Sequence, residues 1–342
     1  MAELTDPWRL GPLQVPNRVL LAPLAGIGNW FVRLQARRYG AGMAFSEMVS
    51  SHAVHHGNEK TCVEMLRIHP AERAGDGGPV SIQLFGESPP IMRSAARRVA
   101  AVGADGIDIN MGCPVPKVFK TGAGAGLLRD PDLAVELARA AGEGVAEAGR
   151  KLPVTVKLRS GVRPGDRSGF ELAHRLVAEA GVAAISFHPR SAAVHHKGEP
   201  DYELAAELAR TLPAPVILTG GLQDEESVRG AFAATGATAV MLARGSLGNP
   251  WLFDRLVGGR EDEPTAEEVL RELHWTIDRA VEHLGQARAT RYLRKFYPWY
   301  VGRLGLERGT AKELCERLQR TETLAQARNL LDARRLTPAL AA

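Results

Sequence analysis

Cysteine is scarce in this chain: only Cys62, Cys113 and Cys315 occur among 342 residues. They lie far apart with no CxxC pair, which argues against both a disulfide framework and a thiolate zinc site. The chain also lacks any apolar run near the ~18 residues that span a bilayer. Its start, MAELTDPWRLGPLQVPNR, lacks the basic-then-apolar order of a secretory leader, so a cytoplasmic protein is expected. Histidines His52, His55, His56, His195 and His196 have no carboxylate or thiolate partner at ligand spacing, so no metal is expected. Large net charge is missing too, the formal value being +4. That charge is uneven: residues 287–342 hold 12 Lys and Arg against 5 Asp and Glu, leaving 31 against 34 for the first 286. A basic tail on a near-neutral body suits a polyanionic partner or a solvated helical face.

What is present is a core-forming composition, 45% hydrophobic, enough for one large domain or one plus a smaller one. Short β-branched runs recur at 18–21, 43–46, 80–84, 106–109, 154–158, 183–187, 216–218 and 239–242. Segments of helical period lie between them, at 91–102, 133–147, 170–180, 202–212 and 225–234. Asp130 with Pro131 reads as an N-cap followed by Pro at the first helical position, and Asp224 precedes a helix ending near Gly236. Eight β-then-α units predict a (β/α)8 TIM barrel rather than an open doubly wound sheet. After residue 256 the polar stretch GGREDEP intervenes. The expected organisation is a barrel over 1–256, a linker over 257–264 and a small all-α domain over 265–342. Thr265 with Glu268 predicts the capping box that opens it, and the final LTPALAA is expected to fray.

Barrel enzymes place their sites where the strands finish. Read together, the eight runs end in Pro23, Leu24 and Ala25; in Glu47; in Gln83; in Asn110 and Cys113; in Lys157 and Arg159; in His188 and Arg190; in Gly220 and Gly221; and in Ala243 and Arg244. Singly such residues are usually structural. Gathered on one rim, they favour function. The glycine pair after strand seven and Ala243–Arg244 after strand eight offer backbone N–H groups and a fixed cation for a phosphate. The pattern admits flavin mononucleotide or a sugar phosphate. In the segment DINMGCPVPK, 108–117, a buried strand delivers Cys113 onto a loop stiffened by Pro114 and Pro116. Local sequence leaves open a working thiol or a small apolar side chain at a strand end.

These residues resemble the bacterial tRNA-dihydrouridine synthases, in particular the type B branch, over roughly residues 10–331. The likeness is carried by LAPLAGIGN (21–29), SEM (46–48), QLFG (83–86), DINMGCPVPKV (108–118), VKLRSG (156–161), HPRS (188–191) and ARGSLGNPWLF (243–253). The resemblance implies an FMN-bound barrel with a helical tRNA-binding domain that reduces uridines in tRNA, in the type B branch those of the D-loop, with NADPH or NADH. It implies a main-chain flavin cradle at Pro23, Leu24 and Ala25, with Gln83, Lys157 and His188 against the ring system. Gly220, Gly221, Ala243 and Arg244 would hold the phosphate. Cys113 would be the catalytic acid, with Asn110, Arg159 and Arg190 around the substrate. Leu24 stands where the family usually has Met, Thr219 where it has Asn, and Ala243 where it has Gly; the last two sit at the phosphate end.

The chemistry asks for these groups. Hydride addition at C6 of uracil leaves negative charge that a proton at C5 must quench. An ordinary thiol, with a pKa of about 8.5, is protonated at neutral pH and can give that proton. Lys157 and Asn110 would stabilise the carbonyl oxygens during transfer. A uridine within folded RNA must be extruded to reach the mouth. Arg288, Arg291, Arg294 and Lys295 share one helical face and would meet phosphates, whereas most of the aromatics Phe296, Tyr297, Trp299 and Tyr300 pack a bundle core. No obligate protein partner is indicated and a monomer is expected. Two rivals are an FMN-barrel ene-reductase or dihydroorotate-type dehydrogenase, which leaves the basic tail unexplained, and a tRNA-binding protein without catalysis, against which the intact Cys113, Lys157 and His188 set speaks.

Overall fold

Residues 2–73 and 78–335 are described by the computed structural model of this protein; the expected frayed segment 336–342 lies outside the described residues. The chain opens with a hairpin, β1 (Trp8–Leu10) and β2 (Leu13–Val15), turned at Gly11 and Pro12. Eight parallel strands then close a barrel: β3 (Val19–Leu21), β4 (Met43–Ser50), β5 (Val80–Phe85), β6 (Gly106–Met111), β7 (Val154–Arg159), β8 (Ala184–His188), β9 (Val216–Thr219) and β10 (Ala239–Leu242), with β10 pairing β3. All eight expected runs are barrel strands. The hairpin was not expected, because three-residue strands carry too little alternation to read. Its Trp8, Leu10 and Val15 pack with Leu20, Phe45, Ala184, Ile217 and Met241, filling the barrel interior below the site.

Helices α1 (Trp30–Arg38), α2 (Ser51–His55), α3 (Pro89–Ala101), α4 (Pro116–Phe119), α5 (Pro131–Glu147), α6 (Ser168–Ala180), α7 (Tyr202–Thr211), α8 (Glu225–Thr235) and α9 (Trp251–Phe253) follow or link the strands. The expected caps form. The Asp130 carboxylate accepts from the Leu133 N–H, and α8 ends at Gly236 with φ +62°, a left-handed position suited to glycine. Side chains alternate along each barrel strand, so Ile107 and Ile109 pack outward in the main core, while Asp108 and Asn110 fall on the inner face.

The C-terminal helices are α10 (Ala266–Leu284), α11 (Gln286–Leu293), α12 (Tyr297–Val301), α13 (Arg308–Arg320) and α14 (Leu324–Arg335). The capping box is present: Thr265 Oγ1 accepts from the Glu268 N–H, and the Glu268 carboxylate accepts from the Thr265 N–H. The preceding polar stretch is pinned, Arg260 being bonded to Glu268 and Arg255 paired with Glu225 and Glu263. The helices lean on α1. Gln35 of α1 donates to Glu272, Thr276 and Tyr300, and Phe31 packs edge-on against Tyr292. As expected, Phe296, Tyr297 and Tyr300 are buried.

Candidate active site

At the C-terminal ends of the strands a cavity of about 370 Å³ opens. It is lined by Pro23, Leu24, Ala25, Gln83, Asn110, Cys113, Lys157, Arg159, His188, Arg190, Gly220, Gly221, Ala243 and Arg244, so the strand-end residues picked out above reach one mouth, apart from Glu47, which bonds the Gly26 N–H instead. Arg288, Arg291, Arg294 and Lys295 do not line it.

Cys113 is half-buried, and its backbone is fixed on both sides. Asn110 Oδ1 accepts from the Cys113 N–H at 2.9 Å and from the Gly112 N–H at 3.2 Å. The Cys113 carbonyl accepts from the Ala125 N–H at 3.0 Å. That approach requires Gly124, whose φ is +59° and where a Cβ would lie 2.7 Å from the Cys113 carbonyl oxygen. Arg159 Nε donates to the Gly112 carbonyl, while its Nη1 donates to the carbonyls of Ser191 and His195. Arg159 therefore ties the Cys113 loop to the loop after β8. Pro116 is the first residue of the short α4.

Below Asn110 lies a chain of buried polar groups. Asn110 Nδ2 donates to Gln83 Oε1 at 2.9 Å, Gln83 Nε2 donates to Asp108 Oδ2, and Thr155 Oγ1 donates to Asp108 Oδ1 at 2.6 Å. Burial raises the Asp108 carboxyl to about 6, against the hydrogen bonds from Gln83 and Thr155 and the charge of Lys157.

The mouth is otherwise cationic. Lys157, partly buried, makes no hydrogen bond to another described residue, and burial first and Arg159 second lower it to about 8. His188 Nε2 lies 3.3 Å from Arg190 Nη1, which can only donate, so the imidazole is neutral with Nε2 accepting. Burial, then Lys157, Arg159, Arg190 and His196, hold His188 well below the ordinary imidazole range. Gly220, with φ +100°, has no room for a side chain: a Cβ would lie 2.4 Å from His188 Cδ2. An ammonium without an acceptor, beside glycine backbone and the exposed Arg244, fits a cofactor that brings carbonyl oxygens and a phosphate.

The four tail cations are exposed but differently engaged. Arg288 is paired with Glu64, and Arg294 donates to the Thr321 carbonyl. Lys295 instead stacks over Tyr292 and donates to the Gly26 carbonyl, in the loop that carries Pro23, Leu24 and Ala25. Tyr292 donates to the Ile27 carbonyl, and Glu47 accepts from the Gly26 N–H.

Asp108, Thr155 and Gly124 were not singled out from sequence. Their signal was readable: polar residues fall at every second position of β6 and β7, Asp108 and Asn110 on one, Thr155, Lys157 and Arg159 on the other, and the pairings Asp108 with Thr155 and Asn110 with Lys157 lay them side by side. His195 and His196, weighed above only as metal ligands, line the cavity, with the His196 ring stacked 6.2 Å from His188.

The sequence model of the family described as Dihydrouridine synthase (Dus) matches residues 20–336. The tRNA-dihydrouridine synthase B of Pseudomonas aeruginosa is 34% identical over 86% of this chain and 87% of its own length. A protein of Synechocystis sp. named probable tRNA-dihydrouridine synthase 1 is 34% identical over 95% of this chain and 88% of its own. Among solved structures, morphinone reductase in complex with tetrahydroNAD superposes with a TM-score of 0.57 at 18% identity, over 79% of this chain and 94% of that one, a likeness of fold. With a family match running from the first barrel strand into the last helix, and relatives alike along nearly their whole length, this chain belongs to the dihydrouridine synthase family.

Proposed function

We propose that this protein is a flavin-dependent oxidoreductase that reduces the C5=C6 bond of uridines in tRNA, those of the D-loop in particular, with NADPH or NADH as reductant. The observation that carries this reading is the Cys113 loop, held from three sides at the rim of a mouth that also presents the Lys157 ammonium, which has no hydrogen-bond partner among the described residues. Pro23, Leu24, Ala25, Gln83, Lys157 and His188 hold the ring system of FMN, and Gly220, Gly221, Ala243 and Arg244 its phosphate. Bound there, FMN supplies the hydride that adds to C6 of uracil. Cys113 gives the proton from Sγ to C5. Lys157 places positive charge where negative charge gathers on carbonyl oxygen, and neutral His188 adds none of its own. Asn110, Arg159 and Arg190 surround the base. Residues 1–256 form the catalytic barrel, and the helical region 265–342 grips the RNA through Arg288, Arg291 and Arg294. No helix among the described residues is long and apolar enough to cross a membrane, and we place the enzyme in the cytoplasm as a monomer.

The test is direct. Purified protein given FMN, NADPH and an unmodified tRNA transcript should form dihydrouridine, read by mass spectrometry of the digested RNA. Cys113→Ala should keep the yellow flavin and tRNA affinity while turnover falls by ~10²-fold or more. Near-normal turnover in that variant would make Cys113 structural.

A further inference from the structure

Asp108 takes no part in the chemistry above, yet it is fully buried beneath the site with both carboxylate oxygens bonded. A buried carboxylate in a barrel core is unfavourable unless its charge is used, and here the use is readable from what each atom in the chain can do.

The two ends of the chain have fixed polarity. At the rim, the Cys113 and Gly112 N–H groups only donate; at the base, an ionised Asp108 only accepts. Between them stand two side-chain amides, Gln83 and Asn110, each with one donating and one accepting end. Asp108 takes Gln83 Nε2, which turns Gln83 Oε1 toward Asn110. That oxygen takes Asn110 Nδ2, which turns Asn110 Oδ1 toward the Cys113 loop. Reversing either amide sets donor against donor somewhere in the chain. Thr155 secures the other oxygen of Asp108, and the Gln83 N–H is held by Ser46 Oγ at 2.9 Å, so the carboxylate and the Gln83 backbone stay in place while the amides carry the polarity.

We propose that Asp108 is a positioning residue for the proton donor: its carboxylate sets the orientation of the Gln83 and Asn110 amides, and through them holds the Cys113 backbone. The proposal rests on the reading of Cys113 as proton donor and adds the residue that places it.

Asp108→Leu is the informative substitution, since it keeps the size of the side chain and removes the acceptor; in Asp108→Asn the Thr155 hydroxyl can turn to accept from the new amide, which leaves Oδ1 toward Gln83. In Asp108→Leu nothing fixes the Gln83 amide, Asn110 Oδ1 is no longer held toward the loop, and the Cys113 N–H loses its fixed acceptor. Turnover should fall at least ~10-fold, with faster amide hydrogen exchange at Gly112 and Cys113, whereas Asp108→Asn should keep exchange there near the parental rate. Thr155→Val, which leaves the carboxylate and the polarity of the chain intact, should leave exchange at Cys113 unchanged. The double variant Asp108→Leu with Gln83→Glu restores an acceptor toward Asn110 and should return exchange at Gly112 and Cys113 to the parental rate, whatever its effect on flavin. Parental turnover in Asp108→Leu, or lost turnover with parental exchange at Cys113, overturns the proposal. Should Asp108→Leu fail to fold, the double variant decides: recovered folding with parental exchange supports the relay, and failure of both makes Asp108 a structural residue. If instead Cys113→Ala is fully active, the reading of Cys113 fails, and the exchange data still decide what holds its loop.

Discussion

A lysine ammonium in a partly buried site weakens the fold that contains it, and Lys157, without a hydrogen-bond partner among the described residues, shows this as a pKa lowered to about 8. The sign follows from proton binding. Between pH 8 and the unfolded value near 10.5 the unfolded chain holds the proton more tightly, so this contribution to stability rises with pH across that window, and the penalty is fully present below pH 8. Lys157→Met should therefore remove up to about 3 kcal/mol of penalty from flavin-free protein at pH 7. The expected result is a higher melting temperature for the stripped variant, together with loss of flavin retention; a lower melting temperature would mean that the ammonium is satisfied in the free protein. Asp108 has the complementary sign. Its raised pKa means that the stability it contributes is present below pH 3.8 and is lost as pH rises to about 6, so both buried charges are held against stability, as groups kept for function are.

Helix α11 joins two tasks that the sequence presents as one cationic face. Arg288 and Arg291 lie on α11, which ends at Leu293, while Arg294 and Lys295 follow it in the turn beyond; Lys295 and Tyr292 reach the carbonyls of Gly26 and Ile27 and brace the loop that carries Pro23, Leu24 and Ala25, the proposed flavin cradle. Substitution should separate the roles. Arg291→Ala with Arg294→Ala should weaken tRNA binding and reduce the slope of log affinity against log salt by about 2. Tyr292→Phe and Lys295→Met should raise the dissociation constant for FMN, followed by flavin fluorescence, with the tRNA salt slope unchanged; a slope reduced by about 1 in Lys295→Met would return Lys295 to the phosphate-binding set. The same contrast marks what was legible. Strands, caps and rim residues could be read because periodicity and end signals are local: Asp130, Asp224 and Thr265 cap where they stand in sequence. Partnerships across the fold could not. Lys295 and Gly26 are 269 residues apart, and the β4 bulge that brings Ser46 beneath Gln83 and Glu47 to Gly26 is a matter of register with β5, which the residues of β4 alone do not show.

Across the whole molecule, the polar stretch after residue 256 reads as a linker between two units, and side chains from either side of it bond to one another. Gln35, Arg38 and Tyr39 of the α1 segment all donate to the Glu272 carboxylate of α10, which is only 5% exposed. Trp30 and Phe31, fully buried, meet His283, Tyr292 and Phe296 from the C-terminal helices. Removing the helices would leave those aromatic faces and the acceptor-less Gln35 amide on the barrel surface, where water satisfies the amide but not the apolar area. A chain truncated after Pro264 should consequently aggregate or melt well below the full chain, so its inactivity would not isolate RNA binding as the cause, and the Arg291 and Arg294 substitutions are the cleaner test of the helical region. The full chain should unfold in one calorimetric transition whose calorimetric and van't Hoff enthalpies agree. Two resolved transitions, the second recovered in a soluble barrel fragment, would show instead that the α1 to α10 contacts are too weak to couple the units, and the helices would then be free to change their angle on the barrel when RNA binds.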